Sequence, residues 1–337
     1  MNIIWFRLMS KFFTKAKVTA AALFIISINV WCGEKLSFSL KPEVSFKSGR
    51  ISEWVRIDDE NNNTKIPLSR LDYDVPFLVQ FGLEGEVSIK NFFWIDSDFA
   101  YGLPCHSGFM QDYDWLNSTY FQESINWLTN YSVHSNELLE SFEGDLKLGI
   151  NLKPKDTLTL TPYFSAGFDY FNFSSYNGYR QYASLDYSGV YEKWDSSITK
   201  VEMSGVVISY KLTRFFGNTG LKLDYENNAF HYAADLSYSF FAMGTGIDLH
   251  WQRKLKFTDE ILDFGFCGVS LSQSYELVLA KMHRIGFTTS FCFVPVLNAR
   301  TYCSNISSSS RGSFDSSSSG GSSSNMFKGT VYYTFKW

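Results

Sequence analysis

Two short segments carry the side chains best suited to proton chemistry, Gln111-Asp112-Tyr113-Asp114-Trp115 and Ile247-Asp248-Leu249-His250-Trp251. In extended backbone, residues i and i+2 project to the same side, so Asp112 and Asp114 share one face, as do Asp248 and His250. Neighbouring carboxylates raise one another's proton affinity, and a carboxylate beside an imidazole fixes its tautomer and favours its charged form. Brought to one cleft, the two pairs can polarise a water for attack on a peptide carbonyl. Alone, neither pattern is specific: Asp-x-Asp is common in polar loops and in some of them binds calcium, and Asp-x-His is weaker still. The rest of the chain has to say whether the two pairs meet.

Most of the sequence reads as strands. Apolar and polar residues alternate at period two in segments near 35–48, 66–83, 87–101, 137–152, 157–173, 206–225, 229–244, 260–279, 285–301 and 326–337. From Thr157 to Phe173, Leu158, Leu160, Phe164, Ala166, Phe168 and Tyr170 alternate with Thr157, Thr159, Thr161, Ser165 and Asp169. That pattern suits a transmembrane antiparallel β-barrel of about ten strands, with one face of each strand to lipid and one to the lumen. The final strand carries Gly329, Val331, Tyr333, Phe335 and Trp337 on one face and ends on an aromatic residue, as outer-membrane barrels do. A soluble β-sandwich would also alternate, but would not need this aromatic load or this terminus.

Composition agrees. Aromatic residues make up 18% of the 337 and charged residues only 19%, below the ~25% usual in soluble domains. No apolar run of roughly 20 residues follows the N-terminal region, which excludes a helical membrane bundle. The net charge of -4 and the lack of a basic, aromatic-interleaved block exclude nucleic-acid binding. Lys11, Lys15 and Lys17 precede the apolar stretch Val18 to Trp31, an export signal that leaves a mature chain from about residue 33. Cys32 lacks the small neighbours that lipidation favours, and Cys105, Cys267, Cys292 and Cys303 have no metal-ligand spacing, so no metal is expected. Long connections at 49–65, 102–136, 174–205, 245–259 and 302–325 fall at one end of the barrel, and short turns at 153–156 and 226–228 at the other. The last long connection is rich in Ser and Gly and reads as a mobile loop.

The chain resembles the omptin family of outer-membrane proteases. Asp112-Tyr113-Asp114-Trp115 and Asp248-Leu249-His250-Trp251 match the family's Asp-x-Asp-Trp and Asp-x-His-aromatic segments in kind and in loop order. Leu36-Ser37-Phe38-Ser39, Ser48-Gly49 leading to Glu53, Leu68 to Tyr73, Tyr210-Lys211 and Arg214-Phe215 add to the likeness.

The resemblance implies an endopeptidase at the extracellular side of a bacterial outer membrane. His250, oriented by Asp248, would act as base on a water that Asp112 and Asp114 help to place. Ser124, as a nucleophile paired with His250, is the lesser reading, since no nucleophile elbow surrounds it. The resemblance implies a pocket for basic side chains lined by two acids; Glu53 matches one, but Gly246 stands at the other, and Gln122 replaces a further acid, so that preference should be weakened. Trp115, Trp127 and Trp251 would be groove walls or interfacial aromatics. Of the family's lipopolysaccharide-binding residues only Arg214 matches, while Phe168, Tyr170 and Asn172 differ, which argues against lipid activation. The implied partners are peptide or protein substrates and outer-membrane lipid, with the chain a monomer and no cofactor. The alternative is a barrel of the same kind serving as an adhesin or host-protein binder without proteolysis. A diffusion porin fits poorly, because side chains fill a barrel of about ten strands.

Overall fold

The computed structural model describes residues 36–59, 64–117, 127–308 and 312–337. Among these the regular elements are all strands: β1 (Leu36–Asp59), β2 (Thr64–Ile89), β3 (Phe93–Gly102), β4 (Cys105–Asp114), β5 (Asn130–Ile150), β6 (Leu152–Lys155) and β7 (Leu158–Tyr182). Then follow β8 (Val201–Glu202), β9 (Val206–Glu226), β10 (Phe230–His250), β11 (Leu255–Ala280), β12 (His283–Asn305) and β13 (Ser313–Lys336). Pairing is antiparallel throughout and runs from β1 around to β13, which pairs back to β1. β2 pairs with β3 along one half and with β4 along the other, and both pair with β5. β3 and β4 are thus one stave, interrupted at Leu103-Pro104, where proline has no N–H for the ladder. With the short β6 and β8 set aside, ten staves form the ring.

The alternation seen in the sequence becomes an outside and an inside. Leu236, Tyr238, Phe240 and Met243 on β10, Leu262, Phe264 and Phe266 on β11, and Ile285, Phe287, Phe291 and Phe293 on β12 are exposed. They form an apolar band for lipid. Inside, at the level of that band and below, ion pairs fill the lumen: Lys41 with Glu84 at 2.6 Å, Lys328 with Glu143 at 2.9 Å, Lys147 with Asp235 at 3.3 Å. A strand crosses a membrane in roughly 9–11 residues. β10 has 21, so about half of it stands clear of the band. Asp248 and His250 lie beyond Met243 on that extension.

Four segments expected as long connections are mostly strand. Residues 49–59 belong to β1, 102, 105–114 and 130–136 to β3, β4 and β5, 245–250 and 255–259 to β10 and β11, and 302–305 and 313–325 to β12 and β13. The Ser-rich tract is a correction from residue 313 on: Ser313 to Ser324 are not a loop but the first half of β13, paired with both β1 and β12. The backbone N–H and C=O groups of those two strands need partners, and any sequence without proline can supply them. Its small residues leave room for neighbours. Trp54 Nε1 donates to Ser323 Oγ at 2.9 Å, Arg214 to Ser324 Oγ at 3.0 Å, and a Cβ on Gly320 would overlap the Asp259 carboxylate.

Beneath the protruding mouth, Ile51, Leu71, Tyr73, Leu78, Met110, Phe171, Phe173, Tyr210 and Leu297 form a buried apolar cluster. Tyr73 stacks on Tyr210 and Phe173 at 5.0 and 5.1 Å between ring centroids. This plug separates the charged lumen from whatever occupies the mouth. At about 1.5–3 kcal/mol for each large apolar side chain removed from water, it gives the strand extensions a core of their own.

Candidate active site

β4 brings Asp112 and Asp114 to the mouth after a bulge at His106–Phe109, where Gly108 takes a φ of 64°. A bulge bends the strand and re-aims the residues that follow. Both carboxylates are buried, and the Asp112 Oδ1 atom has no hydrogen-bond partner. Thr129 clamps the end of the strand, its hydroxyl donating to the Asp114 carbonyl oxygen at 2.9 Å.

Opposite stand Asp248 and His250. His250 Nε2 lies 2.5 Å from Asp248 Oδ2, so Nε2–H donates to the carboxylate and the tautomer leaves Nδ1 as the basic nitrogen. The ring meets Phe257 edge-on at 5.3 Å, which fixes its plane. Asp112 and His250 line one cavity of about 160 Å3. The two pairs picked out in the sequence are thus brought together.

The electrostatics of this water-facing mouth are uneven. Burial, then the adjacent Asp114, pushes Asp112 well above the usual carboxylate range, with His250 opposing. Burial also raises Asp114, against hydrogen bonds from Ser69 and Asn130. For His250, burial disfavours the charge, but the Asp248 carboxylate and its hydrogen bond outweigh that and raise the pKa above the ordinary histidine value. An imidazolium formed by taking a proton from water would find its counter-charge in place.

Glu53 and Asp112 belong to one cross-strand row. Paired residues run Ser322, Glu53, Leu71, Asp112, Ser132, Arg180 across β13, β1, β2, β4, β5 and β7. Glu53 is 3% exposed, its Oε2 has no partner, and burial followed by Asp248, Asp259 and Asp112 raises its pKa strongly. Asp259 is the residue that reading along the sequence misses. It lies on β11 directly opposite Gly246, is 3% exposed, and accepts a hydrogen bond from Thr301 at 2.7 Å. A Cβ at Gly246 would sit 3.4 Å from the Cβ of Asp259 and 3.1 Å from the Tyr210 hydroxyl, which itself has no partner. Asp259 thus places a carboxylate beside the position that Gly246 leaves without a side chain.

A second missed pair is Ser132 and His134 on β5. His134 Nδ1 donates to the Asn177 carbonyl oxygen at 2.5 Å, so Nε2 accepts from the Ser132 hydroxyl at 2.9 Å. Both line the Asp112 cavity, and burial lowers the His134 pKa, keeping it neutral. The signal available in sequence was the Ser-x-His spacing in a strand.

Other expected residues fall elsewhere. Arg214 does not face lipid: it is 1% exposed inside the barrel, with Nη2 and Nε 2.7 and 3.0 Å from the Asp169 carboxylate. An alternating pattern does not say which face is inward, and here the inward one carries the charge. Trp115 stacks on Tyr113, Trp251 donates to Ser209 at 2.9 Å, and neither these nor Trp127 line the Asp112 cavity. Among the described residues Glu84, Glu86 and Asp96 could hold a metal, but Lys41 and Lys222 already pair with the first two at 2.6 and 3.3 Å. The export signal, Cys32, Gln122 and Ser124 lie outside the described residues.

The Omptin family model matches residues 34–335. The crystal structure of outer membrane protease OmpT from Escherichia coli aligns with a TM-score of 0.75 and 15% identity, over 89% of this chain and 97% of that one. At that identity the likeness is one of fold. The outer membrane protein OprG from Pseudomonas aeruginosa aligns over 89% of this chain and 95% of its own, with 8% identity and a TM-score of 0.32, too low to carry an argument. Among curated proteins, none matches the chain.

Proposed function

The chain belongs to the Omptin family, with the β-barrel fold of an outer-membrane protease, and from that premise we propose that it is an endopeptidase cutting exposed peptides or proteins at the mouth of the barrel. The observation that carries this reading is the shared cavity of Asp112 and His250, with His250 held at 2.5 Å by Asp248. In the reaction proposed, His250 takes a proton from a water that Asp112 and Asp114 position, the hydroxide adds to the peptide carbonyl, and the imidazolium returns that proton to the leaving amine as the C–N bond breaks. Asp112, whose proton affinity is high, donates a hydrogen bond toward the developing oxyanion. Glu53 and Asp259 form a pocket for the cationic side chain of Arg or Lys. A basic preference is then retained despite Gly246, because the second acid comes from β11.

This reading includes residues 1–32 as an export signal, residues 33–337 as the barrel, a monomeric state, and an active site facing outward. It also has Arg214 serving stability rather than lipid binding. An adhesin needs no histidine with a carboxylate fixing its tautomer beside a second acid pair. The test is to refold the mature chain in detergent, incubate it with a peptide library and identify products by mass spectrometry. Cleavage beside Arg or Lys is the expected result; intact peptides throughout would leave the binding alternative.

A further inference from the structure

The cavity between Asp112 and His250 is also lined by Arg180, Tyr182, Gln252 and Arg253. Arg180 stands two strands from Asp112 on the row Asp112, Ser132, Arg180, and partners on adjacent antiparallel strands project to the same face. Tyr182 holds both arginines: the Arg180 guanidinium lies 5.1 Å over its ring, and Arg253 donates to its hydroxyl at 3.4 Å. Among the described residues, Arg50, Arg70, Arg214 and Arg284 make ion pairs, whereas Arg180 and Arg253 do not. Arg253 feels Asp112 and Asp114 through space without pairing with either. Two guanidinium groups gathered at one ring without a paired anion repel each other, and a planar fork of N–H donors matches a carboxylate.

We propose that Arg180 and Arg253 form a carboxylate-binding subsite, on the side of Asp112 away from Glu53. Glu53 stands two strands from Asp112 in one direction along the row and Arg180 two strands in the other. The mouth is therefore polar across the reacting residues, acidic on one flank and basic on the other. A peptide that fits both flanks carries a cationic side chain to one side of the scissile bond and a carboxylate to the other. Its place beside a scissile bond rests on the proteolytic reading; its binding chemistry does not. The carboxylate comes from an acidic side chain or from the peptide's own C-terminus, and the chemistry of recognition is the same.

Three fluorescent peptides sharing one Arg distinguish these sources: one with Glu and an amidated C-terminus, one with Gln and a free C-terminus, and one with Gln and an amidated C-terminus. Binding to the refolded full barrel is read by anisotropy and cleavage by chromatography. At least one carboxylate peptide should bind about tenfold more tightly than the doubly neutral one, as a charge-assisted hydrogen-bonded pair provides. Arg180→Gln and Arg253→Gln should each shrink that ratio while leaving the affinity for the neutral peptide unchanged, and Arg180→Lys should restore part of it. Equal affinity for all three peptides, or a preference untouched by both glutamine variants, overturns the subsite. Discrimination without any cleavage keeps the subsite and removes the protease.

Discussion

Gly246 on β10 and Asp259 on β11 face each other as direct cross-strand partners, and the space a Cβ at 246 would take lies 3.4 Å from the Cβ of Asp259. The side chain missing at 246 leaves room for the carboxylate carried by its partner. If both acids were present they would repel at close range in a buried setting.

The expected consequence is reciprocal. Asp259→Asn lowers kcat/KM for peptides with Arg or Lys by about tenfold or more, the scale of one charged hydrogen bond, and changes neutral peptides little. Gly246→Asp alone destabilises the barrel mouth, whereas Gly246→Asp combined with Asp259→Gly recovers the basic preference. Kinetics on paired basic and neutral peptides decide it; an unchanged basic preference in Asp259→Asn contradicts the pocket.

Stability should report the same carboxylate. Burial, with Asp248 nearby and against the Thr301 hydrogen bond, pushes Asp259 up to about 7. Its unfolded value is about 3.9. Between those values the folded protein binds more protons than the unfolded chain, so stability falls as pH rises through the window and levels off above it. Asp259→Asn removes that penalty. Thermal melts in detergent should show the variant more stable than wild type at pH 8, with the gap closing near pH 4; a gap that widens on acidification contradicts the assignment.

The acid limb of activity should lie above the ordinary histidine value of about 6.5, because Asp248 raises His250 and only the neutral imidazole can take a proton. Asp248→Asn removes the counter-charge. The limb then moves to lower pH while kcat drops by about 10²-fold or more, within the usual range for a general base. A pH–rate profile unmoved in Asp248→Asn would separate His250 from the chemistry.

Arg214 and Asp169 predict a structural phenotype. Removing one partner of a buried pair costs about 3–5 kcal/mol, since the other charge is left uncompensated. Asp169→Asn should lower the melting temperature, and any response of activity to added lipopolysaccharide should be the same in wild type and variant. A variant of normal stability that has lost a lipid response would return Arg214 to the lipid.

What was legible in the sequence was what period two encodes. Lipid on one side and lumen on the other force alternation in Leu158 to Tyr170, and the barrel and its ten staves follow. The two-residue spacing of Asp112 with Asp114 and of Asp248 with His250 puts each pair on one face, but it is not specific, and the family resemblance singled these four out. Ser319 to Ser324 carry no apolar stripe, so nothing local marked them as strand; the unpaired edges of β1 and β12 did. Asp259, Ser132 and Arg180 take their places from register across strands, which depends on bulges such as those at His106–Phe109 and Val133–Ser135. A shift of one residue turns each of them to the opposite face.

The most direct measurement is kcat/KM on one Arg-containing peptide for wild type, Asp112→Asn and His250→Ala, with folding of all three checked by the heat-modified gel mobility of the barrel. Turnover by wild type, with about 10²–10⁴-fold loss in each folded variant, is predicted for groups that position and deprotonate the water. Folded variants that cut as fast as wild type, or a folded wild type that cuts nothing, would contradict the proteolytic account.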